Sequence, residues 1–386
     1  MTKKQAPLRT VSATQGDYCA PDRVLLLLIL ALALFGSLMV FSASTAYAEI
    51  RFGDAYYFVK RQTLWLAVGI GAMLLSSRLP PIRLYKLALP FYLVSLALLA
   101  LVPIIGSEAG GATRWITLGP VTLQPSEISK TALVLFLSFY FTKPTVEEHM
   151  AKRGWRSVRY GILYPILLFL AVCILVVLEK HLSCVIILGC ITVCMILLAG
   201  GSGRVLSAMC LGGGSAVTVF ALSVEYTRRR ITIWRNPELY PQDGGWQTLQ
   251  GLMAIGSGGL FGLGFGNSRL KHMYVSEPQN DFIFTIVCEE LGFVGAALVL
   301  SLFAALVARG FFVSGRNPNR FCALLGSGLC AKLAIQVLLN LGVITNTLPN
   351  TGISLPFFSY GGSSLVMLFL EMGILLSLSR TSHIAR

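Results

Sequence analysis

Along most of this chain apolar residues neither alternate nor recur at helical spacing; they run on without a polar face. Such runs occur at 24–43, 62–77, 87–105, 128–142, 160–178, 182–199, 205–223, 282–308, 320–344 and 361–379. Most approach the roughly 20 residues that a helix needs to cross a hydrocarbon layer. A helix that is apolar all round belongs in lipid or inside a bundle. The pattern therefore predicts an all-α polytopic membrane protein with about ten transmembrane helices. They form one domain over 24–379, with tails at 1–23 and 380–386. A long polar connection, 224–281, separates the seventh helix from the eighth.

Composition agrees. Hydrophobic residues make up 55% of the chain and charged residues only 12%, against about 25% charged in soluble proteins. The net charge of +14 would suit nucleic acid if it were clustered. Instead the basic residues sit mostly in short loops between apolar runs, where anionic headgroups attract them, so no nucleic-acid partner is expected. Lys3, Lys4 and Arg9 before Val24–Phe41 imitate a secretory signal, but the many later runs identify that segment as a retained first span. Most of the nine cysteines lie within apolar runs with no CxxC pair. They read as reduced packing residues rather than a disulfide or metal framework.

Basic loops orient membrane proteins. A cytoplasmic N-terminus places Lys3, Lys4, Arg9 and Arg23, then Arg78, Arg83 and Lys86, then Lys143, Lys152, Arg153, Arg156 and Arg159, then Arg204, then Arg309, Arg316 and Arg320, and last Arg380 and Arg386 on the inside, 18 of the 31 basic residues. An even number of spans then leaves both termini cytoplasmic. The 224–281 connection falls outside, yet carries Arg228, Arg229, Arg230, Arg235, Arg269 and Lys271. Two explanations fit, an external anion site or an inverted topology. Its run of glycines, Gly256 to Gly266, suits a segment that re-enters the membrane edge beside protein.

Ionisable residues at membrane depth point to function by default. Arg114-Trp115 precedes Gln124-Pro125-Ser126-Glu127 and Lys130. Glu127 and Lys130 are three apart at a helix start and share a face, which fits either a local ion pair or an anion site. Glu179-Lys180-His181 joins the fifth and sixth runs. Asp281 stands where the polar connection meets the eighth run, fitting a helix cap or a general base beside a leaving phosphate. Glu289 and Glu290 follow inside that run and need partners. Leu348 to Ser364, with Pro349, Gly352, Pro356, Ser359, Tyr360 and Ser363, fits a rigid re-entrant turn or a sugar path. Lys332 and Glu371 in flanking spans are placed to neutralise one another. No P-loop, zinc-type cluster or nucleophile elbow is present, so no nucleotide is expected.

Three blocks carry a resemblance: GATRWITLGPVTLQPSEISK at 111–130, GLFGLGFGNSRLKHMYVSEPQNDFIFTIVCEELGFVGA at 259–296, and LPNTGISLPFFSYGGSSL at 348–365. In these the chain resembles the SEDS family, the FtsW/RodA/SpoVE group, from first span to last. The resemblance implies a ten-span fold and polymerisation of lipid II, undecaprenyl-pyrophosphate-linked disaccharide-peptide, into peptidoglycan glycan strands. The implied place is the outer face of a bacterial cytoplasmic membrane, in a division or sporulation septum. It implies a class B penicillin-binding protein as crosslinking partner, with other divisome membrane proteins. The family's essential aspartate falls on Asp281, its Arg-Trp motif on Arg114 and Trp115, its QPSE-K motif on Glu127 and Lys130, and its NSxxK lysine on Lys271. Departures are Tyr274-Val275-Ser276-Glu277 where the family often has YLPE, Lys180-His181-Leu182-Ser183 for QPDLG, and Trp246 and Gly251 in its YQxxQS motif. The PQND and HLS variants point toward the division and sporulation branch.

The expected chemistry is a single inverting displacement with Asp281 as general base. Arg114, Trp115, Glu127, Lys130, Arg228, Arg229, Lys271, Ser359 and Ser363 are the expected substrate and pyrophosphate contacts, and a divalent cation such as Mg or Mn has room to assist. Two alternatives belong to other classes: a lipid II flippase, which predicts charges lining both halves of the bundle, and a non-catalytic divisome scaffold, which predicts a dispensable Asp281.

Overall fold

The computed structural model describes residues 20–109, 112–119, 121–152, 154–179, 181–223, 225–240, 245–272, 274–275 and 277–382. Most of both expected tails, and Gly110, Gly111, Lys180 and Ser276 from the motifs, lie outside the described residues. In chain order the helices begin with α1 (Arg23–Phe52), α2 (Tyr57–Ser76) and α3 (Pro81–Ile105). A small sheet follows, β1 (Ser107–Ala109), β2 (Ala112–Leu118) and β3 (Val121–Leu123), and then α4 (Pro125–Phe141). Next come α5 (Pro144–Ala151), α6 (Trp155–Val158), a π turn, α7 (Tyr164–Leu178), α8 (Leu182–Leu198) and α9 (Gly203–Ser223). The long connection holds α10 (Glu225–Arg235) and α11 (Gly245–Ser257), and α12 (Ile283–Gly315), α13 (Arg320–Ile344) and α14 (Gly362–Ser379) complete the bundle.

A helix occupies each of the ten apolar segments. Among the described residues seven helical stretches are long and apolar enough to cross a membrane: α1, α2, α3, Trp155–Leu178, α12, α13 and α14, with α8 shorter. One boundary moved for a physical reason. Lys60 and Arg61 make 57–61 look like loop, but Phe58 is buried edge-on against Tyr360 at 4.8 Å, and α2 starts there. The all-α expectation also needs correction, because 107–123 is an antiparallel sheet in the order β1-β2-β3. Thr113, Trp115, Ile116 and Thr117 favour a strand, and Gly119 at φ 61° turns it back; Thr117 then pairs with Thr122.

α4, α13 and α14 form the centre. Nearly all of Pro125–Ser138 is buried, while α2 and α3 turn residues such as Leu64, Leu75 and Leu93 outward, a distribution that suits lipid. Asp22 caps α1 by accepting from the Leu25 amide at 2.8 Å and pairs with Arg309 of α12 at 2.6 Å. Its amide donates to Ser379 Oγ at the end of α14, so one residue joins three helices. The Lys332–Glu371 pair forms as expected.

The Gly-rich segment does more than link helices. α12 breaks at Gly292, φ 65° and ψ −167°, and the broken backbone is taken up by 259–264. Leu263 and Gly264 amides donate to Glu289 and Glu290 carbonyls at 3.0 and 2.9 Å, and Phe293 and Val294 amides donate to Gly259 and Leu260 at 2.9 and 3.1 Å. Such contact requires glycine on both sides: a Cβ at Gly292 would lie 2.3 Å from the Gly262 nitrogen, and one at Gly262 2.2 Å from the Glu290 oxygen.

Candidate functional site

At one end of the bundle a cavity of about 330 Å³ opens among the β2 strand, the starts of α4, α8, α12 and α14, and the loop before α14. Arg114 and Trp115 enter from β2, Glu127 and Lys130 from α4, and His181 from the turn before α8. Glu277 and Asp281 approach from the segment before α12, and Gly352, Ser359 and Tyr360 from the 348–361 loop. Residues at or just before four helix N-termini thus border one space, and helix dipoles favour an anion at such ends.

Asp281 is half-buried, and among the described residues its carboxylate receives no hydrogen bond. Burial raises its pKa to about 6, the Glu277 carboxylate adds to the rise, and the Arg114 guanidinium opposes it. Its backbone is fixed on several sides. Asn340 of α13 donates to the Asp281 carbonyl, Ser359 Oγ donates to the Asn280 carbonyl at 3.1 Å, and the Tyr360 amide donates to the Gln279 carbonyl at 2.8 Å. Gly352, at φ 68°, presses against the carboxylate itself; a Cβ there would lie 3.2 Å from Oδ2.

Lys130 Nζ meets Glu127 Oε1 at 2.8 Å, both side chains nearly enclosed. His181 Nδ1 and Ser126 Oγ are 3.2 Å apart. Burial, with Arg114 and Lys130 adding, lowers the His181 pKa to about 3, so the imidazole is neutral at pH 7. Glu179 is fully buried and its carboxylate oxygens have no hydrogen-bond partner among the described residues. Burial raises its pKa to about 8 against the pull of Arg114.

Of the expected site residues, the structure brings Arg114, Trp115, Glu127, Lys130, Ser359 and Asp281 to the cavity. Ser359 lines it while serving the backbone, accepting from the Leu355 amide at 2.8 Å. Lys271 is not there. It is buried, with Nζ 3.0 Å from Glu290 Oε1 and 2.6 Å from the Gly266 oxygen, because two acids inside α12 required compensation. Glu289 is met by Ser268 Oγ at 2.5 Å and the Arg269 amide at 2.9 Å. Arg228 and Arg229 are exposed on α10 and do not line the cavity. Ser363 is buried, accepting from the Gln124 amide at 3.3 Å, and joins α14 to the entry of α4. Sequence reasoning missed Glu277 and Asn340; only the four-residue spacing of Glu277 from Asp281 hinted at the first. Among the described residues no three His, Cys, Asp or Glu side chains converge to hold a metal ion.

A family model described as cell cycle protein, FtsW/RodA/SpoVE, matches residues 22–384. Stage V sporulation protein E of Bacillus subtilis is 36% identical over 368 residues, covering 94% of this chain and 98% of the relative. Probable peptidoglycan glycosyltransferase FtsW of Geobacter sulfurreducens is 36% identical over 361 residues, covering 93% and 95%. Among solved structures, a chain from a peptidoglycan synthase complex that coordinates polymerization and crosslinking superposes with a TM-score of 0.77 at 30% identity, covering 94% of this chain and 98% of that one. With such coverage at both ends, the chain belongs to the FtsW/RodA/SpoVE family of cell cycle proteins.

Proposed function

We propose that this chain is a peptidoglycan glycosyltransferase that polymerises lipid II, with Asp281 as general base. The observation that carries the reading is the convergence of an unencumbered carboxylate, Arg114, Lys130 and four helix N-termini on one cavity. A carboxylate whose pKa is about 6 is largely ionised at neutral pH and still basic enough to accept a proton as it is released.

In this mechanism Asp281 takes the proton from the 4-hydroxyl of the acceptor GlcNAc as that oxygen attacks the anomeric carbon of the donor MurNAc. The bond from that carbon to the undecaprenyl pyrophosphate oxygen breaks, and the α-linked donor gives a β-linked strand in one inverting displacement. The departing pyrophosphate gathers negative charge, which Arg114, Lys130 and the helix N-termini oppose. Glu277 acts through Asp281, keeping its affinity for the proton high. No step is assigned to a metal.

The ten helices at the apolar segments and the basic loops support a ten-span arrangement with both termini cytoplasmic. The cavity then opens on the extracytoplasmic face, where a class B penicillin-binding protein and other divisome membrane proteins would meet the new strand. The relatives' names support septal work in division or sporulation.

The test is incubation of the purified chain with lipid II, with and without a class B transpeptidase, followed by gel separation of glycan strands. Wild type should make strands, and Asp281→Asn should lower the rate by roughly 10²–10⁴-fold while leaving the fold and transpeptidase binding intact. Strand synthesis by Asp281→Asn at the wild-type rate would falsify the assignment.

A further inference from the structure

Two more charges lie inside the bundle next to the cavity. Lys332 of α13 and Glu371 of α14 form an ion pair with side chains 5% and 1% exposed. Thr131 of α4 donates its hydroxyl to the same Glu371 oxygen. Lys332, Glu127 and Gln336 line one void of about 20 Å³, so the pair adjoins the cavity through Glu127. The Lys332 ammonium acts on the Glu127 carboxylate that holds Lys130, and Glu371 acts in turn on Lys130. Lys130, Glu127, Lys332 and Glu371 therefore alternate in sign and sum to zero.

Bundle stability does not call for such an arrangement, because a buried ion pair is often replaceable by packed apolar residues at little cost. Its value lies in direction. Coulomb forces between charges a few ångströms apart grow as the surrounding dielectric falls, so each member constrains where its neighbour points. Without Glu371, Lys332 would turn to Glu127 and compete with Lys130 for it.

We propose that Glu371 is a positioning residue for the Glu127–Lys130 pair, acting through Lys332. Glu371 restrains the Lys332 ammonium, Glu127 stays committed to Lys130, and the Lys130 charge is held at one place in the cavity. The catalytic consequence rests on the glycosyltransferase reading; the electrostatic arrangement does not.

Two measurements on the full-length chain in detergent separate these. Reductive methylation of Lys130, read by mass spectrometry, should rise severalfold in Glu371→Gln and fall in Lys332→Met, whatever the chain's activity. Strand synthesis from lipid II is then compared in a double apolar variant, Lys332→Met with Glu371→Leu, and a charge swap, Lys332→Glu with Glu371→Lys, with thermal unfolding confirming both folds. The swap keeps an ion pair but sets a carboxylate against Glu127, so it should polymerise more slowly than the apolar double. Equal Lys130 labelling in wild type, Glu371→Gln and Lys332→Met, or a swap that restores wild-type synthesis, would overturn the inference. An inactive wild type showing the expected labelling pattern would instead count against the glycosyltransferase reading alone.

Discussion

Asn340, fully buried on α13, donates from Nδ2 to the Asp281 carbonyl at 2.9 Å and to the Ile353 carbonyl at 2.6 Å. One amide thus joins the segment carrying the acid to the loop that presses on its carboxylate. The position of Asp281 is set from α13, an element whose middle is almost entirely enclosed.

Replacing Asn340 with Leu removes both bonds and leaves two buried carbonyls unmet, at about 1–3 kcal/mol each. Misplacing a reacting group by an ångström costs roughly 10²-fold in rate. Strand synthesis should fall by about that factor even at temperatures where circular dichroism shows the folded bundle. An unchanged rate would remove Asn340 from the site.

The pH dependence has a definite sign. Asp281 must be ionised to accept a proton, so kcat/KM for lipid II should climb as pH rises through about 6 and then level off. Glu277 raises that pKa and Arg114 lowers it. Glu277→Gln should therefore move the acid limb to lower pH, and Arg114→Met to higher pH with a loss of overall rate. A limb that ignores Glu277→Gln would mean that another group titrates.

Gly352→Ala places a methyl against Asp281 Oδ2 at a left-handed backbone position. Strain of about 1–3 kcal/mol is expected, relieved most cheaply by shifting the carboxylate. Turnover should drop and the unfolding temperature should fall, and a crystal or cryo-EM structure of the variant would show the displaced acid.

Lys271→Met should behave as a stability variant. It strands Glu290 in the interior with only the Ser42 hydroxyl and the Ser268 amide as remaining partners among the described residues, and breaking a buried pair costs about 3–5 kcal/mol. The unfolding temperature in detergent should fall, and the double change with Glu290→Gln should recover much of it. A residue that contacts pyrophosphate would show the opposite pattern, with weakened substrate use at unchanged stability.

Much of the bundle was legible because lipid-facing helices announce themselves by continuous apolar runs, and Asp281 stood out as an acid at the edge of one. The Glu127–Lys130 pair followed from helix spacing alone. The place of Lys271 away from the cavity could not be read because its partner, Glu290, lies nineteen residues on, and only a kinked helix clasped by a loop brings them together. The sheet carrying Arg114 hid for a related reason: its strands are of three and seven residues, too short for periodicity to register. Asn340 gave no signal, since one amide in an apolar run looks the same whether it packs idly or bonds two distant carbonyls.

The break at Gly292 also bears on the setting of the acid. The stretch from Ile283 to Leu291 is fastened to the glycine-rich loop, and beyond Gly292 the helix is fastened again, by Phe293 and Val294 to Gly259 and Leu260 and by Arg309 to Asp22. Clasped on both sides, that break is a fixed bend rather than a hinge, so the helical turn next to Asp281 takes its setting from the glycine-rich loop and not from the rod alone.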